Sequence, residues 1–123
     1  MKPTAPKTVV YYARESGACP FDEYLDSLGR EKLAKAVILA RVRRAKNGNL
    51  GDCKRFGEIT ELRIFEGPGY RIYLGEDGGH LVVLLTAGDK SSQSKDFKKA
   101  EEYWHGYKTR KARGGLQLRE HRR

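Results

Sequence analysis

Cysteines are few in this sequence, and long apolar runs are absent. Cys19 and Cys53 are far apart and form no Cys-x-x-Cys pair, so their spacing predicts neither a disulfide framework nor a zinc site. No apolar stretch approaches the roughly 20 residues that cross a bilayer, and the first residues lack the apolar core of a secretion signal. We therefore expect a cytoplasmic protein with reduced thiols, no membrane association and no metal.

Acidic residues are in the minority. Asp and Glu number 16 against 25 Lys and Arg, which gives a formal charge of +9 in 123 residues. Residues 1–89 carry 14 basic and 12 acidic side chains, whereas residues 90–123 carry 11 and 4. This excess favours polyanionic partners such as nucleic acid or an acidic protein, with plain solubility as the alternative. The length predicts one domain, expected over residues 1–112, and a disordered basic tail over 113–123.

The spacing of apolar residues predicts an α+β domain. β-branched and aromatic residues predict a first strand over 7–13, and helical spacing predicts helices over 20–29 and 30–46. Three further strands and a last helix over 94–111 should follow. The predicted bounds of those strands are 58–65, 70–74 and 81–86. The run at 81–85 is apolar without alternation, which predicts a central strand covered on both faces.

The hairpin formed by the first two strands of this meander has a preferred register. If Arg63 opposes Arg71, one face is almost entirely apolar and the other carries these arginines with Glu61 and Tyr73. Two facing arginines repel each other by up to about 1 kcal/mol, so their placement requires an anion. Glu61 is one candidate for that anion. A bound phosphate, which matches the guanidinium fork, is the other.

Further cations flank the start of the last predicted helix. Lys90 directly follows the apolar strand and is expected at the mouth of the sheet. Lys95, Lys98 and Lys99 lie in the first turns of the helix, where the helix dipole disfavours each cation by about 0.3 kcal/mol or more. Local stability does not explain these lysines. A nucleic-acid backbone or an acidic partner would explain them, and a solvated helix face is the alternative.

Two motifs, in this order and spacing, resemble a known toxin family. They are Gly-Pro-Gly-Tyr-Arg-Ile-Tyr at 67–73 and Gly-Asp-Lys-Ser-Ser-Gln at 88–93. Together with Glu-Leu-Arg at 61–63 and Ala-Glu-Glu-Tyr-Trp at 100–104, they closely resemble the RelE/ParE superfamily. The resemblance is strongest to its "addiction module killer" group, which is related to HigB toxins, and it covers about residues 7–110.

This resemblance implies a fold and a set of partners. The implied fold is the RelE-like order β-α-α-β-β-β-α, in which a twisted antiparallel meander packs on two N-terminal helices and a C-terminal helix. The implied function is that of the toxin in a type II toxin–antitoxin system, bound in a heteromer by a cognate helix-turn-helix antitoxin. HigB-like members cleave mRNA on the ribosome without a metal or other cofactor. ParE-like members instead inhibit DNA gyrase without nuclease activity, and a non-enzymatic nucleic-acid-binding module is a further alternative.

The mRNA-cleaving members also suggest roles for individual residues. When the 2′-hydroxyl attacks the phosphate, cations must stabilise the charge that develops there. Arg63 and Arg71 are expected to supply this charge, Lys90 to position the phosphate or stabilise its charge, and Tyr73 or Tyr70 to transfer a proton or stack on a base. The expected substrate-binding residues are Tyr70, Lys95, Lys98 and Lys99. An ordinary tyrosine, with a pKa of about 10, is a poor base at neutral pH, so a base at Tyr73 requires neighbouring cations that lower its pKa.

Overall fold

Six strands form one mixed sheet with helices on both faces in the computed structural model, which describes residues 5–115 and 118–120. The strands are β1 (Thr8–Tyr12), β2 (Cys53–Phe56), β3 (Ile59–Arg63), β4 (Tyr70–Asp77), β5 (Leu81–Asp89) and β6 (Leu118–Glu120). The helices are α1 (Pro20–Ser27), α2 (Lys32–Lys46) and α3 (Gln93–Ala112), the last preceded by a 3-10 turn, Lys90–Ser92. The spatial order of the strands is β2-β3-β4-β5-β1-β6. The predicted α+β class is therefore confirmed.

The meander contains one strand more than predicted. β2 pairs antiparallel with β3, and Cys53 lies opposite Leu62. This edge strand is only four residues long, with Lys54 and Arg55 at its centre and exposed, so its sequence carries no apolar alternation. Charged residues are common on edge strands because they discourage pairing with other chains. β4 and β5 also extend three residues beyond their predicted ends, to Asp77 and Asp89.

The first strand, β1, lies inside the sheet. Its pairing with β5 is the one parallel pairing of the sheet among the described residues. β1 pairs parallel with β5, and Thr8 lies opposite Leu81. β5 also pairs antiparallel with β4, so it has neighbours on both sides. Its side chains alternate between the two faces, since Val82 and Leu84 belong to one core and Val83 to the other. The prediction of a central strand covered on both faces is confirmed.

The segment that follows α3 adds a sixth strand to the sheet. β6 pairs antiparallel with β1, with Leu118 opposite Tyr12 and Glu120 opposite Val10. The prediction of a disordered tail over 113–123 is therefore wrong for residues 118–120. Backbone pairing with the free edge of β1 orders them, and three residues are too few to show a periodic pattern. Residues 116–117 and 121–123 lie outside the described residues.

Two hydrophobic cores separate the sheet from its helices. On one face, α1 and α2 place Phe21, Leu25, Ile38 and Val42 against the sheet. On the other face, α3 contributes Ala100, Trp104 and Tyr107. Burying a large apolar side chain contributes about 1.5 to 3 kcal/mol, so each face holds its helices firmly. No helix in the described part of the chain has the length and hydropathy of a bilayer-crossing segment.

Candidate functional site

Arg63 on β3 lies directly opposite Arg71 on β4, in the predicted register. A single carboxylate lies between their side chains. Glu61, only 1% exposed, accepts a hydrogen bond from Arg63 Nε at 3.0 Å and one from Arg71 Nη1 at 3.4 Å, both on Oε1. Of the two candidates for the anion, the carboxylate of the protein itself is therefore present. Glu61 offsets the repulsion between the two arginines.

Gln93, the first residue of α3, donates hydrogen bonds to this carboxylate. Gln93 Nε2 donates to Glu61 Oε2 at 3.0 Å and to Oε1 at 3.3 Å. Gln93 was not among the predicted site residues, although it ends the Gly-Asp-Lys-Ser-Ser-Gln motif. The motif therefore points to Gln93 as a candidate site residue. Only the fold shows that Gln93 contacts the carboxylate of Glu61, two strands away.

The rest of this motif shapes the entry into α3. Asp89 Oδ1 accepts a hydrogen bond from Ser91 N at 2.8 Å, which caps the 3-10 turn. Ser92 Oγ donates to Asp96 Oδ2 at 2.5 Å, directly above the backbone of Gly88. A Cβ at position 88 would lie 1.8 Å from that same oxygen, so a side chain there would displace the Asp96 carboxylate. This tight turn leaves Lys90 exposed beside the arginine pair.

The two arginines and Lys90 line one open cleft of about 370 Å³. Phe65 and the segment Gly67-Pro68-Gly69 form the rest of its wall, together with Ile64. The Arg63 side chain is 32% exposed and that of Arg71 is 13% exposed. Among the described residues, no carboxylate lines this cleft. Its surface therefore presents three cations, and the buried carboxylate of Glu61 lies beneath two of them.

Tyr73 does not reach this cleft, which corrects the role expected for it. The side chain is fully buried under α3, and its hydroxyl donates to the carbonyl of Gln93 at 3.4 Å. Burial and the neighbouring Glu61 hold the pKa of Tyr73 well above its ordinary value. A role as a base required a lowered pKa, and a stacking role required exposure. Neither condition is met in this structure.

Tyr70 lies on the opposite face of the sheet from the arginines. It is 7% exposed and belongs to the core beneath α1 and α2. Burial raises the pKa of its hydroxyl, with smaller contributions from Glu31 and Asp89. Its position follows from the strand alternation, because neighbouring residues of β4 point to opposite faces. The substrate-binding role expected for Tyr70 therefore does not fit its place in the fold.

The four predicted lysines divide into two groups. Lys90 lines the cleft, as expected. Lys95 and Lys98 are exposed and Lys99 is partly exposed on α3, but none of them lines the cleft. Their position fits the solvated helix face that was the alternative. Among residues 5–115 and 118–120, no three His, Cys, Asp or Glu side chains converge to form a metal-binding cluster.

A buried arginine on α2 fixes the strand end that carries Arg63. Arg41 is 7% exposed, and its Nη1 donates to the carbonyl oxygen of Arg63 at 2.6 Å. Its Nη2 donates at 2.6 Å to the carbonyl oxygens of both Leu50 and Asp52. Burial lowers the pKa of Arg41, and the nearby Arg44 lowers it further. Nothing in the sequence distinguishes Arg41 for this role, because it is one of several basic residues in its helix.

Sequence comparison finds a relative of this chain in Haemophilus influenzae. An 82-residue stretch, 66% of this chain, is 51% identical to that protein and covers 82% of its length. The chain belongs to the same family. The relative is described as an uncharacterized protein, so the family adds no activity to the geometry above. No family model matches the sequence, and no solved structure matches it.

Proposed function

We propose that this protein is the toxin of a type II toxin–antitoxin system, of the RelE/ParE kind, and that it cleaves mRNA held on the ribosome. Its partners are then the ribosome with its mRNA and a cognate helix-turn-helix antitoxin that blocks the cleft in a heteromer. The motifs at 67–73 and 88–93 support the family resemblance. The cleft supports the chemistry, and it carries the proposal further than the resemblance alone.

One observation carries this proposal: Arg63, Arg71 and Lys90 meet in one open cleft without a lining carboxylate. Guanidinium groups bind phosphate oxygens through paired hydrogen bonds and stay charged at physiological pH. Glu61 binds Nε of Arg63 and Nη1 of Arg71. Among the described residues, Nη1 and Nη2 of Arg63 and Nη2 of Arg71 have no hydrogen-bond partner. These donors are available to an incoming phosphate.

The proposed reaction is attack of a ribose 2′-oxygen on the adjacent phosphorus. The 2′-hydroxyl loses its proton to water, the new O–P bond forms, and the bond to the 5′-oxygen breaks as that oxygen takes a proton from water. The two arginines stabilise the negative charge that develops on the phosphate, and Lys90 positions it. Glu61 is not placed to accept the proton, because it is buried and bound by both arginines and by Gln93.

The first test is primer extension on a reporter mRNA in a purified translation system. We expect cuts within codons that require the ribosome, and we expect Arg71→Ala to reduce cleavage by about 100-fold or more, the usual loss when one donor to a developing charge is removed. Arg55→Ala is the matched control. Arg55 is another sheet arginine, 61% exposed and paired with Glu76 outside the cleft, so its loss should leave cleavage unchanged.

Other outcomes lead to other functions. Intact mRNA together with growth arrest on expression would reject the nuclease and make inhibition of DNA gyrase supercoiling the next assay. Salt-dependent RNA binding without cuts and without growth arrest would indicate a non-enzymatic binding module. Cuts of equal strength by wild type and Arg71→Ala would separate the activity from this cleft.

A further inference from the structure

Phe65 is an exposed aromatic residue on the wall of the cationic cleft. Phe65 follows Arg63 by two residues and is 80% exposed. Single exposed hydrophobic residues are common on proteins and by themselves indicate nothing. The position of Phe65 is the informative feature, because an aromatic ring beside phosphate-binding arginines matches the two chemical parts of a nucleotide.

The turn that carries Phe65 is held in place on both sides. Backbone pairing continues past β3, since Ile64 N donates to Tyr70 O at 2.9 Å, and Gly69 N donates to Glu66 O at 3.3 Å. Gly69 has a φ of 77°, a conformation that L side chains rarely adopt, and a Cβ at this position would lie 3.4 Å from the Cβ of Lys90. The ring is therefore presented by a defined turn beside Lys90.

We propose that Phe65 stacks on an unpaired base of the RNA strand whose phosphate contacts Arg63 and Arg71. This inference rests on the proposed function, because it uses the same phosphate site. A base inside a duplex is already stacked and paired, so a single ring on the protein surface contacts bases that have left the stack. The pair of contacts, base and phosphate, selects single-stranded RNA over duplex RNA and over phosphate alone.

The other aromatic residues expected to contact a base do not compete with Phe65. Tyr73 is buried under α3, and Tyr70 is buried on the opposite face of the sheet. Leu33 is also 80% exposed, but it lines a different groove with Tyr70. Leu33 therefore provides a control for the loss of an exposed apolar side chain away from the arginines.

The test is equilibrium binding of a short single-stranded 2′-O-methyl RNA, whose blocked 2′-oxygen prevents cleavage. One probe carries 2-aminopurine, a fluorescent base that is quenched on stacking, and a second probe is abasic at that position. We expect Phe65→Ala to weaken binding of the first probe by about 5- to 150-fold, the range measured for loss of one stacking contact. Phe65→Trp should retain the quenching, and Leu33→Ala should bind like wild type.

The abasic probe and the salt dependence separate this inference from the proposed function. We expect the abasic probe to bind wild type and Phe65→Ala equally, and we expect Arg71→Ala to reduce the salt dependence while Phe65→Ala leaves it unchanged. Binding that depends on Arg71 but not on Phe65 would overturn the stacking inference alone. Binding that is independent of Arg71 would overturn both. No binding by wild type would overturn the stacking inference, whereas the ribosome-dependent primer extension decides the proposed function separately.

Discussion

Gln93 Nε2 lies 3.0 Å from Oε2 and 3.3 Å from Oε1 of Glu61, so the start of α3 holds a carboxylate of β3. That carboxylate in turn binds Arg63 and Arg71. The cleft therefore depends on three elements of the chain, and the geometry of its arginines depends on a carboxylate that is not among the residues lining the cleft. Glu61 and Gln93 are positioning residues for the anion site.

Neutralising Glu61 should destabilise the protein in a way that phosphate reverses. Glu61→Gln removes the charge between two arginines, and we expect the free energy of unfolding to fall by about 1.5 to 3 kcal/mol, the contribution of hydrogen bonds to a charged group. A phosphate ion can replace the lost charge. Thermal unfolding in phosphate and in chloride at equal ionic strength should therefore show a larger phosphate stabilisation for the variant than for wild type.

Glu23→Gln is the control for this prediction. Glu23 is 56% exposed, and its carboxylate is 3.8 Å from Arg14, so the change should alter stability by less than about 1 kcal/mol. Equal phosphate stabilisation of Glu61→Gln and wild type would show that no anion enters between the two arginines.

Replacing Arg41 should destabilise the end of β3 at Arg63. Arg41→Met keeps the length of the side chain but leaves the carbonyl oxygens of Leu50 and Arg63 without this donor, while that of Asp52 keeps its hydrogen bond from Arg63 N. We expect a loss of about 2 to 6 kcal/mol in urea unfolding, because each of the two unsatisfied acceptors costs about 1 to 3 kcal/mol. Arg43→Met, an exposed position on the same helix, should change stability by less than about 0.5 kcal/mol. Equal losses in the two variants would contradict the structural role of Arg41.

Removing the Tyr73 hydroxyl should leave cleavage nearly unchanged. Tyr73→Phe removes the hydroxyl's long hydrogen bond to the Gln93 carbonyl and its hydrogen bond with the Glu61 carboxylate, and we expect a loss of stability of about 1.5 to 3 kcal/mol. Cleavage in the primer-extension assay should stay within about threefold of wild type, whereas loss of a general acid or base reduces a rate by about 100-fold or more. A reduction of that size in folded Tyr73→Phe would restore the tyrosine to the reaction.

Stability should decrease at alkaline pH. Burial raises the pKa of Tyr24 to about 12, and burial together with Asp77 raises that of Tyr107. A group with a raised pKa in the folded state stabilises the fold fully below its unfolded pKa, which is about 10 for tyrosine, and loses this contribution as pH rises toward the folded value. Urea unfolding from about pH 8 to about pH 11 should show this decline.

Tyr24→Phe tests the origin of that decline. The variant lacks one of the raised groups, so its stability should fall less steeply with pH than that of wild type. Tyrosinate absorbance should rise together with unfolding. A decline equally steep in the variant would assign the effect to other groups, such as lysines.

The parts of this fold that could be predicted are those fixed by local alternation. The register of Arg63 against Arg71 follows from the sequence, because a slip of one residue would mix polar and apolar side chains on both faces. The helices follow from their apolar spacing in the same way. β2 and β6 could not be predicted, because Cys53–Phe56 and Leu118–Glu120 are too short to show a period.

The site was only partly predictable, because α3 covers one part of the sheet face that carries Arg63 and Arg71 and leaves the other part open. The sequence places Glu61, Arg63, Arg71 and Tyr73 together, but it does not show that α3 covers the Tyr73 end and leaves the arginine end open. The contact of Gln93 with Glu61 and the exposure of Phe65 also depend on how distant segments meet. Such contacts carry no periodic signal in a single sequence.

The parallel pairing of β1 with β5 also sets the order in which a newly synthesised chain can fold. Thr8 finds its partner only once Leu81 has been made, and the carboxylate of Glu61 finds Gln93 later still. Contacts this distant in sequence form late, because the intervening chain must first be closed into a loop. A nascent chain that ends before α3 has both arginines but not the side chain that orients their counterion. The anion site is therefore complete only after the chain has been synthesised through Gln93.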